Sequence, residues 1–152
     1  MTTVAWDGKV LAADRQATNG GLKFHVTKLK KVNGSLLFSS GDLDTFVAMV
    51  EWFRHGANQK ELPKVQGEKD TTISFFEVRP DGTLWCYERS AHPFLVEEPF
   101  YACGSGRDYA LSAMKLGKGA VEAVLFAGEF DAYTGLGVTV LTLGEEKDEK
   151  TP

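Results

Sequence analysis

Residues 2–18 read TTVAWDGKVLAADRQAT, and the reading of this stretch decides the fold. Two β-prone runs, 2–6 and 9–13, flank Asp7-Gly8, a dipeptide that supplies the positive φ angles of a tight hairpin. The chain therefore starts inside a strand, with Thr2 directly behind Met1. If Met1 is removed, Thr2 carries a hydroxyl and a free α-amine within a few bonds of each other, a nucleophile and a base in one residue.

Outward from this hairpin, the polar stretch 17–21 leads to FHVTKLKKV and SLLFSS, two further strands joined by the hairpin signal Asn33-Gly34. Four strands thus precede any helix. Leu43, Phe46, Val47, Val50 and Phe53 then recur at helical spacing behind Asp42, an N-cap, with Gly56 as a stop. A polar linker over 57–70 precedes TTISFFEV, the turn Pro80-Asp81-Gly82, TLWCYE and the short strand FYAC before Gly104. Alanine-rich segments from Arg107 to near Lys115 and from Gly119 to near Ala132 predict two helices broken at Gly117, and GVTVLTL a last strand. The order predicts an α+β architecture in which helices cover antiparallel sheets. Residues 1–152 read as a single domain, with 144–152 a charged tail that frays in solvent.

Bulk composition narrows the function. Hydrophobic residues make up 43% and charged residues 25% of the 152, an ordinary globular balance. The net charge of −4, with one basic cluster at Lys28, Lys30 and Lys31, argues against nucleic acid. No apolar run is long enough to span a bilayer and no signal-peptide layout opens the chain, so the expectation is a cytoplasmic protein without a membrane partner. Cys86 and Cys103 read as reduced core thiols, and His25, His55 and His92 lack liganding spacing, so neither metal nor cofactor is expected.

A threonine hydroxyl needs a base, and a terminal amine titrating near ~8 can serve. Nearby positive charge would lower that amine toward neutrality and favour a developing alkoxide. Lys28, in a strand-like segment, and Asp14, just past the second strand, could supply the charge and its counter-ion; equally, Lys28 could belong to a solvated basic stripe and Asp14 cap a turn.

TTVAWDGKVLAADRQAT followed by TKLKKV closely resembles the start of catalytic proteasome β-type subunits, especially the HslV-type bacterial peptidase, which are N-terminal nucleophile (Ntn) hydrolases. The family pattern of a processed Thr, an Asp-x-x-Ala-Thr segment and a Lys-bearing strand matches Thr2, Asp14 with Ala17-Thr18, and Lys28 with Leu29 and Val32. Ser39-Ser40-Gly41 is similar to the turn whose glycine amide serves as oxyanion donor and whose neighbours line the specificity pocket. Gly104-Ser105-Gly106 resembles the turn whose serine contacts the terminal amine, and Asp131-Ala132-Tyr133-Thr134-Gly135 the proteasomal Asp-x-x-Ser-Gly.

The resemblance implies an αββα layered sandwich and a threonine-type endopeptidase without cofactor, acting on peptides or unfolded protein in a homo-oligomeric ring with a possible ATPase activator. Thr2, Asp14, Lys28, Gly41, Ser105, Asp131 and Thr134 would form its catalytic set, and Thr18, Ser39 and Ser40 would touch substrate. The chain departs from the family in two places. The loop between Asp14 and Lys28 is slightly short, which keeps Lys30 as an alternative lysine, and 57–70 lacks the apolar face of the family's second helix, implying a shortened helical layer. Trp52, off the main stripe of its helix, is the preferred subunit-interface residue. A non-catalytic assembly protein of the same fold and a small-molecule Ntn amidase are the competing functions.

Overall fold

The computed structural model describes residues 3–63 and 74–144. The hairpin of β1 (Thr3–Trp6) and β2 (Val10–Asp14) forms as its turn dipeptide demands, with Gly8 at φ 96° and Asp7 Oδ1 accepting from the Lys9 and Val10 amides. A second hairpin, β3 (Gln16–Asn19) and β4 (Leu22–His25), turns on Gly20-Gly21 and stands as a separate two-stranded sheet. Next come β5 (Lys30–Val32) and β6 (Ser35–Ser40), joined through Asn33 and Gly34 at φ 52° and 81°, the double left-handed conformation of a two-residue hairpin. Helix α1 (Leu43–Arg54) follows, its first turn capped by Asp42, whose side chain accepts from the Thr45 amide at 2.7 Å. Strands β7 (Ser74–Val78), β8 (Leu84–Tyr87), β9 (Phe94–Leu95) and β10 (Tyr101–Gly104) lead to α2 (Arg107–Lys115), α3 (Ala120–Phe130) and β11 (Val138–Thr142).

These elements stack in four layers. One sheet runs β10-β1-β2-β11 and the other β5-β6-β7-β8-β9, each antiparallel throughout. Strand alternation sorts their side chains. Val4, Trp6, Leu11 and Ala13 face Leu36, Phe38, Phe76, Val78 and Cys86 between the sheets, while Ala5 and Ala12 face α2 and α3. Leu37, Phe75 and Tyr87 turn outward onto Phe46, Met49, Val50 and Trp52 of α1. Phe38 and Phe76 stack at 4.7 Å in the central layer, an arrangement worth about 1 kcal/mol beyond the area it buries. Small alanines on the helix side allow α2 and α3 to approach their sheet closely, which holds the end of β1 against the loops around Gly104 and Asp131. Among the described residues, no helix is long and apolar enough to cross a membrane.

Several expectations need correction. FHVTKLKKV is not one strand. It divides into β4 and β5, because the Val26 amide bonds to the Arg15 carbonyl at 2.8 Å and Leu29 plunges into the inter-sheet core, fully buried. Lys28 therefore sits on irregular backbone between strands. The polar stretch 17–21 belongs mostly to the β3–β4 hairpin, whose exposed faces carry no apolar alternation to betray it. Phe94–Leu95 adds a short edge strand on β8 that its neighbouring prolines obscured. Within the linker, Gln59–Glu61 is a single 3-10 turn, while residues 64–73 lie outside the described residues, as does the tail beyond Gly144. Trp52 is no interface residue. It is 5% exposed, packs edge-on to Phe75 and Tyr87, and donates its indole N–H to the Asn58 carbonyl.

Candidate functional site

Asp14 ends β2 with its carboxylate wholly buried, a position tolerable only with dense hydrogen bonding. Four donors meet it. Oδ1 accepts from the Thr3 amide at 3.0 Å and from Lys28 Nζ at 2.8 Å; Oδ2 accepts from the Gln16 amide at 3.2 Å and the Gly135 amide at 3.1 Å. Lys28 is itself 7% exposed. Burial pulls its ammonium below the ordinary lysine value, while the bond to Asp14 and the charges of Asp14 and Asp131 resist that fall. The irregular backbone at 26–29 makes this contact possible, since a continuous strand would have carried the lysine along the sheet.

A second cluster lies on the other side of the same β1 terminus, at Thr3. Asp131, just past α3, accepts at Oδ2 from Ser105 Oγ and Thr134 Oγ1, both at 2.6 Å, and at Oδ1 from the Tyr133 amide. Burial raises its carboxyl, yet the two hydroxyls and the Tyr133 amide together hold it below the ordinary aspartate value. Thr134 Oγ1 is also 2.6 Å from the hydroxyl of Thr3, which is fully buried. Because the carboxylate takes the Thr134 proton, Thr3 must be the donor in that pair. Gly106 makes room for the arrangement, since any Cβ there would overlap the Thr3 hydroxyl.

A cleft of about 220 Å³ opens beside Lys28, lined by Gln16, Thr18, Ser39, Gly41 and Phe46 among others. Gly41 enters α1 at φ 112°, a conformation that side chains rarely adopt. Ser40 is the exception among the expected substrate contacts. It lines a different cavity, of about 420 Å³, with Ser74, Tyr101, Cys103 and Arg107, because successive residues of β6 point to opposite faces.

The structure thus brings Asp14, Lys28, Thr18, Ser39 and Gly41 to one side of the β1 terminus, and Ser105, Asp131 and Thr134 to the other. Lys30, the alternative lysine, pairs with Leu37 in the sheet and leaves Asp14 to Lys28. Thr2 lies outside the described residues; its neighbour Thr3 is the residue both clusters grip. Burial pushes the Cys86 and Cys103 thiols up to about 11 and about 12, so neither is a thiolate competing as nucleophile. Sequence reasoning missed Thr3, Gln16 and Gly106. Gln16 had a signal available, because it stands two residues after Asp14 and so shares its side of an extended chain.

No family model matches the chain. It is 30% identical over 179 aligned positions to "Proteasome subunit beta 1" of Thermococcus gammatolerans, covering 94% of this chain and 87% of that protein. It is 27% identical to "Proteasome subunit beta 2" of Pyrococcus abyssi, covering 94% and 84%. In three dimensions it superposes on Thiobacillus denitrificans BPH in complex with Epoxomicin with a TM-score of 0.68 at 22% identity, covering 95% of this chain and 100% of that one. The eukaryotic HslV from Trypanosoma brucei gives 0.66 at 17% identity, covering 95% and 99%. These two likenesses show the fold, a layered sandwich of antiparallel sheets covered by helices.

Proposed function

Because the chain belongs to the proteasome β-subunit family, we propose that it is a threonine-type endopeptidase whose nucleophile is Thr2 after removal of Met1. The observation that carries this reading is the buried Lys28–Asp14 ion pair at 2.8 Å, whose Asp14 Oδ1 also accepts the Thr3 amide. A buried cation beside the start of β1 disfavours a second positive charge there, so the terminal amine of Thr2 would be neutral near physiological pH and able to act as base.

Thr2 Oγ then attacks a peptide carbonyl while its own amine takes the hydroxyl proton. Ser105, fixed by Asp131, assists the transfer. The Gly41 amide, at the cleft beside Lys28, takes the oxyanion, and water resolves the acyl-enzyme. Loss of such a donor costs about 10² to 10³ in rate. The reading extends to a cytoplasmic homo-oligomeric ring of single-domain subunits acting on peptides or unfolded protein, with an ATPase as feeder.

Intact mass after incubation with a peptide epoxyketone tests it. The expected result is loss of Met1 and one covalent adduct that Thr2→Ala abolishes. Retained Met1 with no adduct overturns the reading and leaves a non-catalytic assembly protein.

A further inference from the structure

Gln16 takes no part in the chemistry above, yet it is 3% exposed and its carboxamide lies between the two clusters. Its Nε2 is 3.0 Å from the Ala132 carbonyl oxygen and 3.0 Å from Thr18 Oγ1. A carbonyl oxygen only accepts, so the nitrogen end of the carboxamide must face Ala132. The second N–H of the same nitrogen is then given to Thr18, whose hydroxyl oxygen accepts it. The Thr18 proton is left with no acceptor among the described residues, and Thr18 lines the cleft. Gly135 leaves space for the carboxamide, since a Cβ there would stand 2.8 Å from Gln16 Oε1.

We propose that Gln16 is a positioning residue that turns the Thr18 hydroxyl into a dedicated donor toward the cleft. The site would then select peptides whose cleft-filling side chain is an unbranched stem ending in a neutral hydrogen-bond acceptor, glutamine foremost. The walls suit the stem, because Ala17, Val26, Leu43 and Phe46 surround it with apolar surface. Among the described residues, two charged ones line the cleft: the Lys28 ammonium is already paired with Asp14, which leaves Asp42 to oppose a carboxylate tip and separate glutamine from glutamate. This inference rests on the peptidase reading and specifies its substrate.

The test uses two fluorogenic peptides that differ only before the scissile bond, Gln in one and the near-isosteric Met in the other. Wild type is expected to favour the Gln peptide roughly tenfold in kcat/KM, the scale of one hydrogen bond. Thr18→Val should cut the Gln peptide far more than the Met peptide and bring the ratio toward one, while Thr18→Ser restores it. Gln16→Glu should also lower the ratio, because a carboxylate captures the Thr18 proton. A wild-type ratio of one, or equal losses on both peptides in Thr18→Val, overturns the inference while leaving a working peptidase. Cleavage of neither peptide overturns the peptidase reading and this inference with it.

Discussion

The hydroxyls of Thr3 and Thr134 meet at 2.6 Å, joining the first residue of β1 to the turn after α3 across most of the sequence. With Asp131 at its end, the chain of donors runs from Thr3 to Thr134 to the carboxylate, and Ser105 donates to the same oxygen. Thr134→Val keeps the shape and removes the middle link. Thr3 is then left buried with an unanswered hydroxyl, which should cost about 1 to 3 kcal/mol in denaturant unfolding. The same variant should slow epoxyketone labelling by loosening the start of β1. Wild-type stability in Thr134→Val would show that the contact carries no weight.

Asp14→Asn tests the other grip. The substitution leaves the Lys28 ammonium, 7% exposed, without its counter-charge. It also places an amide N–H₂ among four donors. Breaking a buried pair from one side costs about 3 to 5 kcal/mol. Burial already draws the Lys28 value down, and without Asp14 it falls further, so folding then expels a proton that the unfolded chain keeps. Stability of the variant should therefore rise with pH up to the ordinary lysine range, narrowing its deficit against wild type. A deficit that stays constant with pH would show that Lys28 is not the group responsible.

The sequence disclosed the order of most elements and the local hairpins, because turn dipeptides such as Asp7-Gly8 and Asn33-Gly34 act locally, and the structure places both in hairpins. It failed where tertiary contacts overrule local preference. Lys28 lies in a β-prone run, but the neighbouring Leu29 is worth more in the core than in a ladder, and that burial is invisible along the chain. The burial of Trp52 is hidden for the same reason, since its position off the helical stripe says nothing of the Phe75 and Tyr87 rings on β7 and β8. Ser39 and Ser40 show the converse. Adjacent in a motif, they separate into different cavities once β6 is extended. The roles of Thr3 and Gly106 arise from close approach of three distant segments, which no spacing in sequence encodes.

Asp131 contributes to the acid limb of stability. Its folded carboxyl lies below the ordinary aspartate value, with burial opposing and the bonds from Ser105, Thr134 and Tyr133 prevailing. The unfolded chain therefore binds this proton first as the solution is acidified. The contribution is complete above the ordinary carboxylate range and is lost as pH falls through it toward the folded value. Unfolding midpoints measured from neutral pH downward should fall less steeply in Asp131→Asn than in wild type. Parallel acid limbs would remove Asp131 from the balance.

Gly106 and Gly128 offer a matched pair for the last prediction. Gly106 precedes α2 at φ −95°, a backbone any residue adopts, so only the space around it matters. An added methyl would overlap the Thr3 hydroxyl and stand 3.0 Å from the Ala127 Cβ and 3.2 Å from Thr134 Oγ1. Gly106→Ala should thus lose about 1 to 3 kcal/mol to overpacking and break the Thr3–Thr134 bond, lowering labelling with it. Gly128, on the exposed face of α3, would put its methyl 3.5 Å from the Thr134 carbonyl, an ordinary contact. There the gain in helix propensity, about 1 kcal/mol, should leave Gly128→Ala at least as stable as wild type. Thermal and denaturant unfolding of both variants decide the matter: if Gly106→Ala matches Gly128→Ala, the β1 terminus is not held by close packing at Gly106.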